Sequence, residues 1–117
     1  MDALFKILGD QNRLRVLHLL MHQELCVCEI EELLETTQSN ASRHLGKLKQ
    51  GGIISYRKKA QWVHYQINPE FIQEHEKLYH YLKEEMEKDD IYLEDLETLK
   101  RFNEKQESCN TLVLESQ

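Results

Sequence analysis

Cys26 and Cys28 flank a single valine in the stretch ELCVCEIEELL, residues 24–34. Thiolates are soft ligands for thiophilic ions, and they are also the reactive groups of sulfur redox chemistry. The spacing constrains both uses. On a regular α-helix, residues i and i+2 are rotated by roughly 200° and do not face each other. The pair can therefore converge only where the chain is extended or in the first turn of a helix. A helix N-terminus is such a place, and its positive end lowers the pKa of a nearby thiol. The competing reading is two small apolar side chains buried beside Leu25 and Val27. Cys109 stands far along the chain. Three cysteines cannot all pair within one chain, and cytosolic thiols stay reduced, so all three are expected as free thiols.

The other chemistry-bearing residues are cations. Net charge is −6, which by itself argues against nucleic acid. Its distribution argues the opposite. From Thr36 to Pro69 there is no Asp or Glu, but there are Arg43, Lys47, Lys49, Arg57, Lys58 and Lys59. Both flanks are acidic. An acid-free basic segment between acidic flanks is a local electrostatic footprint for a polyanion, unless it is only a solvated surface run.

The elements that must position these groups follow from periodicity. Residues 3–8 suit a short amphipathic helix ended by Gly9. Asp10 suits the cap of a helix over about 11–21, with Leu14, Val16, Leu17, Leu20 and Met21 at helical spacing. A short helix is expected over 29–34, with Ile30, Leu33 and Leu34 inward. A tight link, Glu35-Thr36-Thr37, leads to a helix over 38–50, stopped by Gly51-Gly52. Residues 53–67 change period. Val63, Tyr65 and Ile67 alternate with Trp62, His64 and Gln66, and Ile53 to Tyr56 can pair with them through a basic tip. Helices are expected over 70–88, opened by Pro69, and from Ile91 to about Lys105. Residues 106–117 show no clear pattern. This divides the chain into 1–88 and an additional helix and tail, 89–117.

Two short helices, a tight link and a basic-tipped hairpin describe a winged helix-turn-helix, a mainly α fold with a β-hairpin wing (α+β). In the 38–50 helix, Ala41, Leu45 and Leu48 share the inward face. The opposite face carries Ser39, Arg43, Gly46, Lys47 and Gln50, flanked by Ser42, with Gln38 a further candidate DNA contact; small residues there permit close approach to a major groove and arginine can pair with guanine. Arg57, Lys58 and Lys59 at the hairpin tip can meet phosphates. His44, toward the flank of the inward face, is expected to be packed, and Trp62 and Tyr65 to pack the hairpin. His75, His80, Glu74 and Glu84 are read as surface groups. No Gly-rich phosphate loop, nucleophile elbow or H-E-x-x-H is present, and no cysteine has a base placed by the sequence, so no enzymatic role is expected. The start, MDALFKILGD, lacks the pattern of a secretory signal, and no apolar run reaches the ~18–20 residues of a membrane span. A cytoplasmic chain without membrane contact is expected.

In the order FKILGDQNRLRVLHLL, ELCVCEIEELL, QSNASRHLGKLKQGGII and WVHYQI, the chain resembles the ArsR/SmtB family of metal-responsive bacterial repressors, over roughly Phe5 to Ile67. The resemblance implies a homodimeric repressor that binds an inverted-repeat operator in double-stranded DNA and releases it when metal binds. It also implies that terminal helices, here 2–8 and 70–88, build the dimer. ELCVCEI is similar to the ELCVCDL motif of arsenite-responsive members, and by that match Cys26 and Cys28 carry over as ligands for As(III) or Sb(III). Some members add a cysteine three residues after the second, where this chain has Glu31. The third position then falls to Cys109, an external thiol or water. Cd(II), Pb(II) or Zn(II), or a redox or reactive-sulfur signal at the same cysteines, is the alternative.

Overall fold

The computed structural model describes the backbone of residues 1–115 and the side chains of residues 1–106. Among the described residues, seven helices and one hairpin follow in order: α1 (Asp2–Leu8), α2 (Gln11–His22), α3 (Val27–Leu34), α4 (Gln38–Gln50), β1 (Ile54–Lys59), β2 (Trp62–Ile67), α5 (Pro69–Glu74), α6 (Glu76–Met86) and α7 (Asp90–Glu115). The hairpin and the helix pair before it form the expected winged helix-turn-helix.

Local chemistry sets the helix ends. Asp10 caps α2 by accepting from the Arg13 N–H at 3.0 Å, and Thr37 caps α4 by accepting from the Asn40 N–H at 3.1 Å. Each satisfies an N–H that has no partner within its helix. α3 ends at Glu35, which sits in the left-handed region at φ 50°. The Thr36 N–H reaches back to the Glu31 carbonyl at 3.0 Å. That closes the helix C-terminus and turns the chain tightly into α4. Gly52, at φ 74°, performs the turn out of α4, a conformation that suits a residue without Cβ.

The core joins all these pieces. Leu17 and Leu19 of α2, Leu25, Ile30 of α3, Leu45 and Leu48 of α4, and Ile53 at the foot of the wing are fully buried. β1 and β2 pair antiparallel from Ile54↔Ile67 to Lys59↔Trp62. Leu25, between α2 and α3, adds a third edge: its N–H and carbonyl bond the carbonyl and N–H of Tyr65 at 3.1 and 2.8 Å.

The C-terminal part differs from the periodic reading in two ways. The helix expected over 70–88 is divided at His75, whose φ/ψ of −125°/44° is not helical. Main-chain bonds continue on either side, from the His75 N–H to Phe71 and from the Tyr79 N–H to His75. The last helix runs to Glu115 rather than ending near Lys105. No glycine or proline interrupts residues 90–115, so nothing in the backbone stops it. α7 packs on α2 and α3, burying Tyr92, Leu99 and Phe102. Among the described residues, no helix is long and apolar enough to cross a membrane.

Candidate nucleic-acid interface and thiol pair

α4 presents the polar outer face that its pattern predicts. Ala41, His44, Leu45 and Leu48 are buried, while Gln38, Ser39, Ser42, Arg43 and Lys47 are exposed. Arg43 donates to the Asn40 carboxamide oxygen at 3.3 Å, which leaves its guanidinium at the surface. A Cβ built on Gly46 meets nothing within 4 Å, so this position is open to an approaching surface. Lys49 is engaged differently. Its ammonium lies 4.2 Å from the centre of the Tyr56 ring, tying the end of α4 to the wing by a cation–π contact. His44 is buried as expected; its Nδ1 has no protein partner, and burial lowers its pKa.

The wing carries Arg57, Lys58 and Lys59 exposed near its tip. Tyr65 packs against the core, but Trp62 is 52% exposed, so it does not pack the hairpin as expected. Arg57 is also not a free cation. It donates from Nε and Nη2 to the two carboxylate oxygens of Glu24, at 2.9 and 2.7 Å. Those bonds hold the Glu24 carboxyl below its usual pKa. Periodicity had no means of finding Glu24, because it lies twelve residues before the acid-free segment begins.

The thiol pair lies at the other end of that connection. Cys26 is the N-cap of α3, with extended backbone at φ −93° and ψ 168°, and Cys28 is the second helical residue. The half-in, half-out placement resolves the spacing problem. The two Sγ atoms are 3.1 Å apart. Two sulfurs bound to one ion at about 2.3 Å each must lie within about 4.6 Å of one another, so this separation fits a shared ion. The Cys26 N–H donates to the Glu29 carboxylate at 2.9 Å, which fixes the first turn. One expectation is reversed. The helix N-terminus does not lower the Cys26 thiol pKa. Burial, the Cys28 sulfur and the Glu29 carboxylate outweigh it and push the Cys26 thiol up to about 12. Cys26 is buried and Cys28 exposed. Among the described residues no cluster of three or more His, Cys, Asp or Glu side chains could hold a metal ion. The side chain of Cys109 lies outside the described residues.

A family model described as bacterial regulatory protein, arsR family, matches residues 10–56, the helix-turn-helix with the start of the wing. A solved structure of HlyU from Vibrio cholerae is 35% identical, with TM-score 0.58, over 68% of this chain and 87% of that one. The chain belongs to the arsR family of bacterial regulatory proteins. A homodimeric winged helix-turn-helix DNA-binding domain from Mycobacterium bovis, a possible ArsR-family transcriptional regulator, is 27% identical with TM-score 0.61, over 72% of this chain and 78% of that one. Among curated relatives, the arsenic resistance transcriptional regulator ArsR1 of Pseudomonas putida is 46% identical over 67 residues, 56% of this chain and 52% of the relative. The arsenical resistance operon repressor of Escherichia coli is 45% identical over 56% of this chain and 57% of the relative. The cadmium resistance regulatory protein CadC of Listeria innocua is 40% identical over 56% of each chain. The match therefore spans little more than half the length of these curated relatives. The arsR-family segment, residues 10–56, includes both the ELCVCEI region and α4.

Proposed function

We propose that this chain is a DNA-binding transcriptional repressor that acts as a homodimer and releases its operator when Cys26 and Cys28 close on As(III) or Sb(III). The observation that carries the reading is the 3.1 Å approach of the two sulfurs at the first turn of α3. α3 supports the reading helix directly: Ile30 and Leu33 share one buried cluster with Ala41, Leu45 and Leu48 of α4. Drawing Cys26 and Cys28 onto one ion requires both thiol protons to leave and the first turn of α3 to adjust. α3 then shifts beneath α4, and two half-site readers lose their mutual spacing. Coupling of about 1–3 kcal/mol weakens operator binding roughly 5–150-fold.

Gln38, Ser39, Ser42, Arg43 and Lys47 read the major groove in this account, and Arg57, Lys58 and Lys59 contact phosphates. An inverted repeat presents two half-sites about one helical turn apart to the two-fold dimer. α1 and the α5–α6 region form the subunit contact. Phe5, 54% exposed, and Tyr81, 60% exposed, are apolar surface there that a second subunit can cover. Cys109, an external thiol or water supplies the third donor. The similarity to arsenical resistance regulators supports As(III) or Sb(III) as the signal. The similarity to CadC supports a second reading with the same fold, in which the cysteines answer Cd(II), Pb(II) or Zn(II).

Operator release titrated with As(III), Sb(III), Cd(II), Pb(II), Zn(II) and peroxide, on wild type and on Cys26→Ser and Cys28→Ser, tests both. Normal As(III) release by either serine variant overturns the proposal. Release by Cd(II) but not As(III) moves it to the second reading, and release by peroxide alone moves the signal to sulfur oxidation.

A further inference from the structure

The wing and the thiol pair are joined through three consecutive residues. Glu24 accepts two hydrogen bonds from Arg57, at 2.9 and 2.7 Å. Lys59 Nζ lies 3.8 Å and His64 Nδ1 4.0 Å from the same carboxylate. The two-bond pair fixes the orientation of the guanidinium as well as its distance. Leu25 is fully buried and exchanges both main-chain hydrogen bonds with Tyr65 of β2. Cys26 follows at once as the N-cap of α3. Among the described residues, Glu24 is the one carboxylate in a salt bridge with a cation of residues 36–69.

We propose that Glu24 is a positioning residue that links the thiol pair to the wing: when Cys26 and Cys28 close on their ion, the Glu24–Cys26 segment moves and takes Arg57 and Lys59 away from operator phosphates. The inference rests on the repressor reading above and adds a second route to it, beside the one through α3 and α4. It follows from distance along the chain. Any movement of Cys26 reaches the Glu24 carboxylate within two residues, and Leu25 is bonded to the same sheet that carries the cations. The ion pair also has a consequence without inducer. A guanidinium held by Glu24 is only partly available to a phosphate, so loss of the carboxylate frees a cation for DNA.

The test is operator binding against salt concentration for wild type, Glu24→Gln, Arg57→Gln and the double variant, each without and with saturating As(III). In Glu24→Gln the salt slope without inducer is expected to steepen by about one, the value of one added phosphate contact. Its As(III) release ratio is expected to fall about twofold to fivefold, in keeping with the strength of an exposed pair. As(III) capture, followed by thiolate–arsenic absorbance, should match wild type, which separates coupling from binding. The double variant should lose no more of the release ratio than Arg57→Gln alone, and Arg57→Gln carries the test if Glu24→Gln does not fold. A wild-type release ratio in Glu24→Gln, or in Arg57→Gln where that variant carries the test, overturns the proposal, as do additive losses in the double variant. If wild type does not bind or release its operator, the repressor reading falls first, and the wild-type data alone show it.

Discussion

The sulfurs of Cys26 and Cys28 stand 3.1 Å apart, yet their surroundings differ. Cys26 caps α3 from a buried position, and Cys28 is exposed one residue into the helix. Convergence at the site thus comes from two unlike groups, one shielded and one open.

The difference predicts an order of labelling. Alkylation requires thiolate and access. Burial pushes the Cys26 thiol up to about 12, whereas Cys28 faces solvent. Iodoacetamide at pH 8 is expected to modify Cys28 at least about tenfold faster than Cys26. Fragmentation of the peptide that carries both residues, followed by mass spectrometry over time, distinguishes them. Equal rates would mean that α3 opens at its N-terminus in solution.

Arg15 of α2 and Asp95 of α7 form a two-bond pair, both bonds at 2.8 Å, with the carboxylate almost fully buried. About two helical turns further along, Gln23 and Asn103 exchange amide hydrogen bonds at 3.2 and 2.8 Å. These contacts fasten α7 along the back of the helix-turn-helix. Asp95→Ala leaves Arg15 partly buried without its partner and is expected to destabilise the fold by about 2–3 kcal/mol. Replacing both residues by Met and Leu should recover most of that loss, because no buried charge is then left unpaired. Urea denaturation of the two variants checks it. A loss below about 0.5 kcal/mol in Asp95→Ala would show that α7 is not held there in solution.

What was legible in the sequence was local. Asp10, Gly51 and Pro69 bracket helices because caps and breakers act within a few residues. Alternation from Trp62 to Ile67 marked a strand because the side-chain period of a strand is two. The exposed polar side of α4 followed from its inward leucines in the same way. What escaped were relationships between distant segments. Arg15 meets Asp95 and Gln23 meets Asn103 across eighty residues, and no periodicity announces which helix faces which. Glu24 escaped for the same reason: charge counting along the chain left it outside the basic segment that it touches in space. The Cys26 pKa was misjudged because helix position was visible and burial was not. The run of α7 past Lys105 escaped because its hydrophobic spacing fades there, although no residue stops a helix.

His18 makes stability depend on pH. It is fully buried on α2 between the rings of His22 and Tyr92, whose centroids are 5.0 and 5.3 Å away. Neither ring nitrogen has a hydrogen-bond partner. Its pKa is lowered from 6.5 to about 4, chiefly by burial and then by the neighbouring His22, with Asp95 opposing the shift. In the unfolded chain His18 titrates near 6.5. Between these values the unfolded chain binds a proton that the native fold does not, so stability falls as pH falls. The contribution is complete above about pH 6.5 and is lost progressively down to about pH 4, for a total of about 3 kcal/mol. His18→Phe keeps a ring between His22 and Tyr92 but removes the titration. Its stability curve should therefore be flatter than wild type by that amount between pH 7 and 4. Urea unfolding at half-unit pH steps measures the difference, and parallel curves for the two proteins would show that His18 reaches solvent in the native state.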